Sequence, residues 1–272
     1  MVGLRPVRRG AGRRGMSAAL AALGIVTAMT VTAAVDAPIP PHRAEYLLSR
    51  DGLPFGVMTM ELTIDAEGGY RYRAHTVPHA AVALMSQALE LGDVVTQTEE
   101  SVGRLEGGRF HPREYHFRRQ GAEAGRGLDL SFDWGRGRAA MISEGKPWSM
   151  EVPAEAQDKL SVLLALRQDL GQESAQDLSQ PPSAAQGRRD YPVADGGRLK
   201  TYSFRILGRE SLPGPEGERD TIALDRSKDG RDLDYRLWLD PRLHLLPVRV
   251  ERDEAGSLYV MELTRVEGPP SP

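Results

Sequence analysis

Histidine is the side chain in this sequence whose chemistry is easiest to recognise, because imidazole acts as a base near neutral pH and as a metal ligand. Two of the six histidines, His111 and His116, lie close together in a segment that alternates like a strand. Their separation of five residues predicts opposite faces of that strand, where they cannot share one metal ion. The others are scattered, at His42, His75, His79 and His244. We therefore expect no metal site.

Catalytic motifs are missing from the sequence. It contains no G-x-S-x-G, no H-E-x-x-H, no phosphate-binding loop and no dinucleotide-binding glycine pattern. Acidic residues are plentiful, but Glu61, Asp65, Asp129 and Asp133 alternate with apolar residues, which is typical of the solvated side of a strand. No nucleophile is paired with a base, so we expect a protein that is not an enzyme and uses no cofactor.

Methionine and aromatic side chains are frequent at the apolar positions. Flexible thioethers adapt to irregular ligands, so these side chains predict a cavity between sheet and helices that holds an apolar, lipid-like molecule. The alternative is a fully packed core, in an envelope scaffold or partner-binding module without a ligand. The candidate cavity residues are Met58, Met60, Leu62, Tyr70, Tyr72, Met85, Tyr115, Phe117, Trp134, Leu160, Leu163 and Leu164.

These side chains depend on a sheet to position them, and strand patterns dominate the chain. In "FGVMTMELTID", Met58, Met60 and Leu62 alternate with polar residues, and the same period-two pattern recurs many times. Strands with one apolar face indicate an antiparallel sheet. The clearest segments are residues 55–65, 69–76, 113–119, 128–134, 201–206, 220–225 and 233–263. The predicted fold is mainly β: a single, strongly curved antiparallel sheet, as a half-barrel or open barrel, covered by two short helices.

The two helices are predicted at residues 80–93 and 157–170, where apolar residues recur at helical spacing and a glycine follows. Both are amphipathic, so both should cover an apolar face of the sheet. If the interior is hollow, we expect the second helix to be its lid.

Composition excludes several classes of function. The chain has no cysteine, which rules out disulfides, thiolate metal sites and a cysteine nucleophile. The net charge is −3, and it becomes −8 once the five arginines of the first fifteen residues are removed. A mature chain this acidic should not bind nucleic acid through bulk electrostatics.

The first 34 residues predict a signal peptide, because an arginine-rich start is followed by an uncharged, alanine-rich stretch that ends in small residues. Such a segment indicates export to the periplasm, with a mature protein that does not span the membrane. We predict a linker at residues 35–43, one β-rich domain at 44–267 with a polar loop insert at 172–189, and a disordered tail at 268–272.

The chain contains the four blocks "YLLSRDGLPFGVMTMEL", "DKLSVLLALRQDL", "YSFRILGRESLPGPEGERDTIAL" and "LWLDPRLHLLPVRVE". In that order, they resemble a family of secreted bacterial envelope proteins, domain-of-unknown-function family 3108. The last block is also similar to a hairpin of periplasmic lipoprotein carriers, whose curved half-barrel holds acyl chains under a helical lid. The resemblance implies a fold and a compartment, and it leaves the activity open.

Overall fold

The computed structural model describes residues 38–88, 95–121, 126–143, 145–172, 187–214, 217–229 and 231–268. In that part of the chain, fourteen strands form one antiparallel sheet. The strands are β1 His42–Arg50, β2 Leu53–Ile64, β3 Gly69–Pro78, β4 Thr96–Glu106, β5 Arg109–Gln120, β6 Arg126–Asp133, β7 Arg138–Ser143, β8 Lys146–Glu151, β9 Arg188–Asp195, β10 Arg198–Gly214, β11 Gly217–Lys228, β12 Arg231–Asp240, β13 Leu246–Glu254 and β14 Ser257–Glu267.

Each strand pairs with its neighbours along the chain, except that β8 and β9 do not pair with each other, and β1 pairs with β14. The sheet therefore consists of two meanders, β1 to β8 and β9 to β14, joined through the β1–β14 ladder. It does not close into a barrel, because β8 and β9 are its two edges. The predicted fold class, a mainly β protein with a single antiparallel sheet and two helices, is confirmed.

The alternating sequence pattern forms the strands as predicted. In β3, Tyr70 and Tyr72 are buried on the inner face, while Arg71 and Arg73 are exposed on the other. Five strands were not predicted from the sequence, namely β1, β4, β7, β8 and β9. The last two residues of the predicted insert at 172–189 begin β9, and residues 173–186 lie outside the described part.

Helix α2, Ser161–Gly171, lies within the curve of the sheet rather than over it. Eight of its eleven residues are buried. Leu160, just before the helix, and Leu164 belong to a cluster formed mainly by β1 to β7, whereas Leu166 and Leu170 belong to one formed by β9 to β13. A helix that is apolar on opposite sides must be surrounded by its partners. The sheet therefore curls around α2, and the predicted amphipathic cover is instead the centre of the core.

The helix begins later than predicted, and the residues before it have a separate role. Gln157 bridges to Val193 of β9: its N–H donates to the Pro192 carbonyl at 2.8 Å, and its carbonyl accepts from Ala194 N–H at 2.8 Å. This contact covers part of an edge strand that would otherwise present unpaired backbone groups.

Helix α1, Ala80–Ala88, follows β3 and packs against β2, while Leu84 is 67% exposed. The rest of the predicted helix, residues 89–93, lies outside the described part, as do the predicted signal segment and residues 269–272. Neither described helix is long and apolar enough to cross a membrane. β1 begins at His42, inside the predicted linker, and Ile39 is already buried.

The outer face of the sheet is not solvated everywhere. Trp238 of β12 alternates with inward-facing leucines, yet it is only 6% exposed and packs with Ala223 and Val248. Its indole N–H donates to Glu210 Oε2 at 2.7 Å. The expectation of one apolar face per strand is therefore wrong at this position, because a small second cluster covers the outside of β11 to β13.

Candidate functional site

The structure brings eleven of the twelve predicted cavity residues into one cluster beside the first half of α2. Seven of them are no more than 5% exposed: Met60, Leu62, Tyr70, Tyr72, Tyr115, Leu160 and Leu164. Four are partly buried against the same cluster: Met58, Phe117, Trp134 and Leu163. The side chain of Met85 lies outside the described part.

The position of α2 changes the interpretation of this cluster. A lid covers a cavity from outside, whereas α2 fills the space between the two halves of the sheet, with Leu163 in contact with both. Tyr70 also packs edge-on against Phe110, with ring centroids 5.1 Å apart. These contacts are those of a packed core.

A buried carboxylate, which the sequence reading missed, lies at the start of α2. Asp158 is fully buried; its Oδ1 accepts from Leu160 N–H and Ser161 N–H, each at 2.8 Å, and its own N–H donates to Ser161 Oγ. This reciprocal arrangement caps the turn that leads through Leu160 into α2. Ser101 Oγ donates to Asp158 Oδ2, and Tyr70 Oη is 3.2 Å from Ser101 Oγ.

Burial raises the pKa of Asp158 to about 6, while these hydrogen bonds favour the charged form and act in the opposite direction. A second inward carboxylate, Glu99, accepts a 2.6 Å hydrogen bond from Tyr115 Oη and lies 3.7 Å from Lys159 Nζ. The Ser101–Asp158 hydrogen bond and the Glu99–Lys159 contact hold the segment before α2 against β4, and the Tyr115–Glu99 bond joins β4 to β5. The cluster therefore positions the helix.

The larger of the two cavities described here lies on the other half of the sheet, with a volume of about 520 Å³. Its lining is polar and rich in arginine, and we call it the arginine recess. Four arginines and three carboxylates line it with serine, tyrosine and leucine side chains. The residues are Arg188, Ser203, Arg205, Asp225, Arg226, Ser227, Tyr235, Arg236, Glu251, Asp253 and Leu258.

Most charges of the arginine recess are paired. Arg205 Nη2 lies 2.7 Å from Asp225 Oδ2, and Arg236 Nε lies 3.2 Å from Asp225 Oδ1. Arg188 Nη2 donates to Ser203 Oγ at 2.9 Å. These contacts hold three guanidinium groups at the walls.

Arg226 is the exception. Its guanidinium carbon lies 4.0 Å from the centroid of the Tyr235 ring and 5.1 Å from that of Tyr202, so aromatic faces hold it. None of the acidic side chains in the described part forms an ion pair with it, and its Nε is buried without a hydrogen-bond partner there. The sequence contained a signal for this residue, since Arg226 continues the inward alternation of Ile222 and Leu224.

No group of three or more potential metal ligands occurs among the described residues. The two neighbouring histidines are not on opposite faces, contrary to the prediction. Val102 pairs with Glu114 and Gly103 with Pro112, so Arg113 is an extra residue in a β-bulge. The bulge reverses the alternation between His111 and His116, and both lie on the outer face. His116 there contacts Asp129, with Nδ1 at 2.6 Å from Oδ1.

The fold and the recess define a class: a mainly β protein whose curved antiparallel sheet surrounds a central helix and carries an arginine-lined cavity. The family model described as "Protein of unknown function (DUF3108)" matches residues 44–264. The chain belongs to that family. A comparison with curated proteins gives no match.

Among solved structures, the chain is similar to a β-barrel-like protein of domain of unknown function DUF1849 from Brucella abortus. The TM-score is 0.53 at 13% identity, over 85% of this chain and 98% of that chain. At this identity the likeness concerns the fold alone. A structure of MucB in complex with MucA(peri) matches with a TM-score of 0.17 at 14% identity, over 84% of this chain and 88% of that chain. A TM-score this low supports no inference.

Proposed function

We propose that this protein is a non-catalytic binding module of the cell envelope, and that its arginine recess binds an acidic segment of a partner protein. The observation that carries the proposal is Arg226, a cation held between two tyrosine rings at a cavity wall without an acidic partner in the described part. The proposal favours the partner-binding alternative over the lipid carrier.

The chemistry of the arginine recess suits a carboxylate ligand. A guanidinium group presents a rigid fork of N–H donors that matches a carboxylate, and stacking on tyrosine leaves the edge of that fork free. Arg205 and Arg236 share one carboxylate, Asp225, so the two cations are only partly neutralised. An incoming carboxylate therefore gains charge-assisted hydrogen bonds without having to displace a strong ion pair.

The lining also resembles a protein interface more than a metabolite pocket. Arginine and tyrosine are enriched at the energetic centres of interfaces. Leu258, which is 40% exposed, adds an apolar contact at the edge of the polar surface. An extended segment with alternating acidic and apolar side chains would satisfy both features.

The compartment is part of the proposal, and the arginine-rich start and alanine-rich stretch of residues 1–34 support it. A chain without cysteine needs no oxidative step after export. We expect the protein isolated from the envelope fraction to have lost residues 1–34.

Fluorescence anisotropy with a short labelled polyglutamate peptide tests the arginine recess. We expect saturable binding that weakens with salt and falls at least tenfold in Arg226→Gln. Arg113→Gln is the matched control, because Arg113 is an exposed arginine on β5 that pairs with Glu106 away from the recess. Equal affinity in both variants would refute the proposal. Tighter binding to phosphatidylglycerol vesicles than to the peptide would show that the arginine recess binds an anionic lipid instead of a protein segment.

An apolar ligand is the second candidate, and one observation favours it. Met58 and Phe117 point inward beside the core, yet they are only partly buried, so this end of the interior is not fully closed by side chains. Titration with an environment-sensitive fatty-acid probe tests this candidate. Enhanced emission that Phe117→Asp abolishes would support it, and an unchanged signal with the wild-type protein would exclude it.

A further inference from the structure

A buried cation on α2 lies outside the arginine recess. Arg167 is 3% exposed; its Nε donates to the His244 carbonyl at 3.1 Å, and its Nη1 donates to His42 Nε2 at 3.3 Å. The guanidinium also interacts with the Tyr72 hydroxyl. All of these partners are neutral groups, and no acidic side chain in the described part lies within ion-pair distance of it.

A buried charge without a counter-charge is strongly unfavourable, and proteins normally supply a partner or an ion. Both histidines beside Arg167 remain neutral. Because His42 Nδ1 faces the Pro40 carbonyl at 2.9 Å, that nitrogen carries the proton and Nε2 is the acceptor for Arg167. Burial and the nearby guanidinium lower the pKa of His42 to about 4. The net charge of this cluster is therefore a single positive charge.

A cavity of about 30 Å³ opens beside the guanidinium, lined by Arg167, His42 and His244 together with apolar residues. Val266 and Gly268, at the end of β14, form part of its wall. A single water molecule needs roughly 10–15 Å³ of such volume. The cavity thus has room for one small ion, and a monovalent anion would neutralise the single positive charge of the cluster.

A buried hydroxyl lies close to the same cation. Tyr46 is fully buried, and its hydroxyl has no hydrogen-bond partner in the described part. It is near enough for electrostatic interaction with Arg167 and Tyr72. Tyr46 does not line the cavity, so its hydroxyl offers the guanidinium no counter-charge and leaves the cavity as the place where one can bind.

We propose that Arg167 binds a small monovalent anion of the size of chloride in the cavity beside His42 and His244. The anion neutralises the buried guanidinium and ties α2 to the paired ends of β1 and β14. This site is separate from the arginine recess and does not depend on the function proposed for it.

Thermal unfolding in sodium chloride, compared with sodium gluconate at equal ionic strength, tests the site. A ligand that binds only the folded state raises the melting temperature in a saturable manner. We expect that rise with chloride and with bromide, and not with sulfate. Unchanged melting curves in chloride and gluconate would overturn the proposal.

Two variants locate the effect. Arg167→Met removes the charge with a similar apolar volume, which a core often tolerates, and it should abolish the response to chloride. Val266→Phe changes a cavity-lining residue that is 41% exposed, so it should fold even if Arg167→Met does not, and its larger side chain should weaken the chloride response at least threefold. Arg113→Gln should respond like the wild type. A full response in Val266→Phe and Arg167→Met, or no anomalous bromide peak beside Arg167 in bromide-soaked crystals, would contradict the assignment.

Discussion

Ser101 Oγ donates a 2.6 Å hydrogen bond to Asp158 Oδ2, and both residues are fully buried although 57 positions separate them. Ser101 is on the inner face of β4, and Asp158 caps the start of α2. This bond therefore fixes the central helix against the first meander. The hydrogen bond lies on the inner face of β4, and the inner face of a strand is ordinarily apolar.

Ser101→Ala should destabilise the protein by about 1.5–3 kcal/mol, because it removes a hydrogen bond to a buried carboxylate and leaves Tyr70 Oη without its partner. Urea unfolding followed by tryptophan fluorescence measures the change. The control is Ser131→Ala, since Ser131 is exposed and its hydroxyl makes only a 3.5 Å contact with the Ala140 carbonyl. Equal stability of the two variants would show that the buried bond contributes nothing.

The pH dependence of stability should contain two opposing contributions. The pKa of Asp158 rises from 3.8 to about 6 on folding, so its contribution is fully present below pH 3.8 and is lost as the pH rises through 6. The pKa of His42 falls from 6.5 to about 4, so its contribution is present above pH 6.5 and is lost as the pH falls through 4. Each is worth up to roughly 3 kcal/mol.

Variants separate the two contributions. Between pH 7 and pH 5, the unfolding free energy of Asp158→Asn should fall more steeply than that of the wild type, because the stabilising protonation of Asp158 is gone. The unfolding free energy of His42→Gln should fall less steeply than that of the wild type, because this variant lacks the histidine whose protonation destabilises the fold. Chemical denaturation at half-unit pH intervals measures both slopes, and three parallel curves would contradict the assignment.

Leu164→Ala should cost about 2–5 kcal/mol, because Leu164 is fully buried between α2 and the sheet and its loss leaves a cavity. The matched control is Leu84→Ala on α1. Leu84 is 67% exposed, so its change should remain within about 0.5 kcal/mol. A small loss of unfolding free energy in Leu164→Ala would show that α2 does not fill the interior. That result would favour the lipid-carrier hypothesis over the partner-binding module.

Gly103→Ala should destabilise or unfold the protein. A Cβ at this position would lie 2.0 Å from the His111 carbonyl oxygen and 2.7 Å from Tyr70 Cε1, so the backbone of β5 would have to move. Gly135→Ala is the control, because its Cβ meets nothing closer than 3.6 Å. Circular dichroism melting compares the two, and a shift of under 2 °C for Gly103→Ala would disprove this tight packing.

The sequence predicted the strands whose inner faces are apolar, and it missed β4 for a physical reason. The inward positions of β4 include Glu99, Ser101 and Gly103, which pair with polar groups or admit the Tyr70 ring. Period-two hydrophobicity cannot detect a strand whose inner face serves a buried polar cluster. The same cluster explains why the start of α2 was placed too early, since Asp158 is the cap and not part of the helix.

The residues predicted to line a cavity lie together in the core, because alternation and helical spacing identify which side chains face inward. It could not say whether that interior is filled, since filling depends on how far the sheet curls around α2. The arginine recess was missed because its walls come from β9 to β14 and include residues that individually resemble a solvated surface. Only Arg226, an inward arginine after Ile222 and Leu224, departed from the pattern.

The pairing of β1 with β14 places the two ends of the folded region side by side. Gly268, just after β14, approaches so closely that an added Cβ would lie 3.1 Å from the His42 side chain. Every other strand pairing joins consecutive strands. A circular permutant that links Gly268 to Pro38 and opens the chain between α2 and β9 would convert the sheet into one uninterrupted meander. The pairing of β1 with β14, which joins strands far apart in sequence, would become local, and the permutant should fold faster than the natural chain.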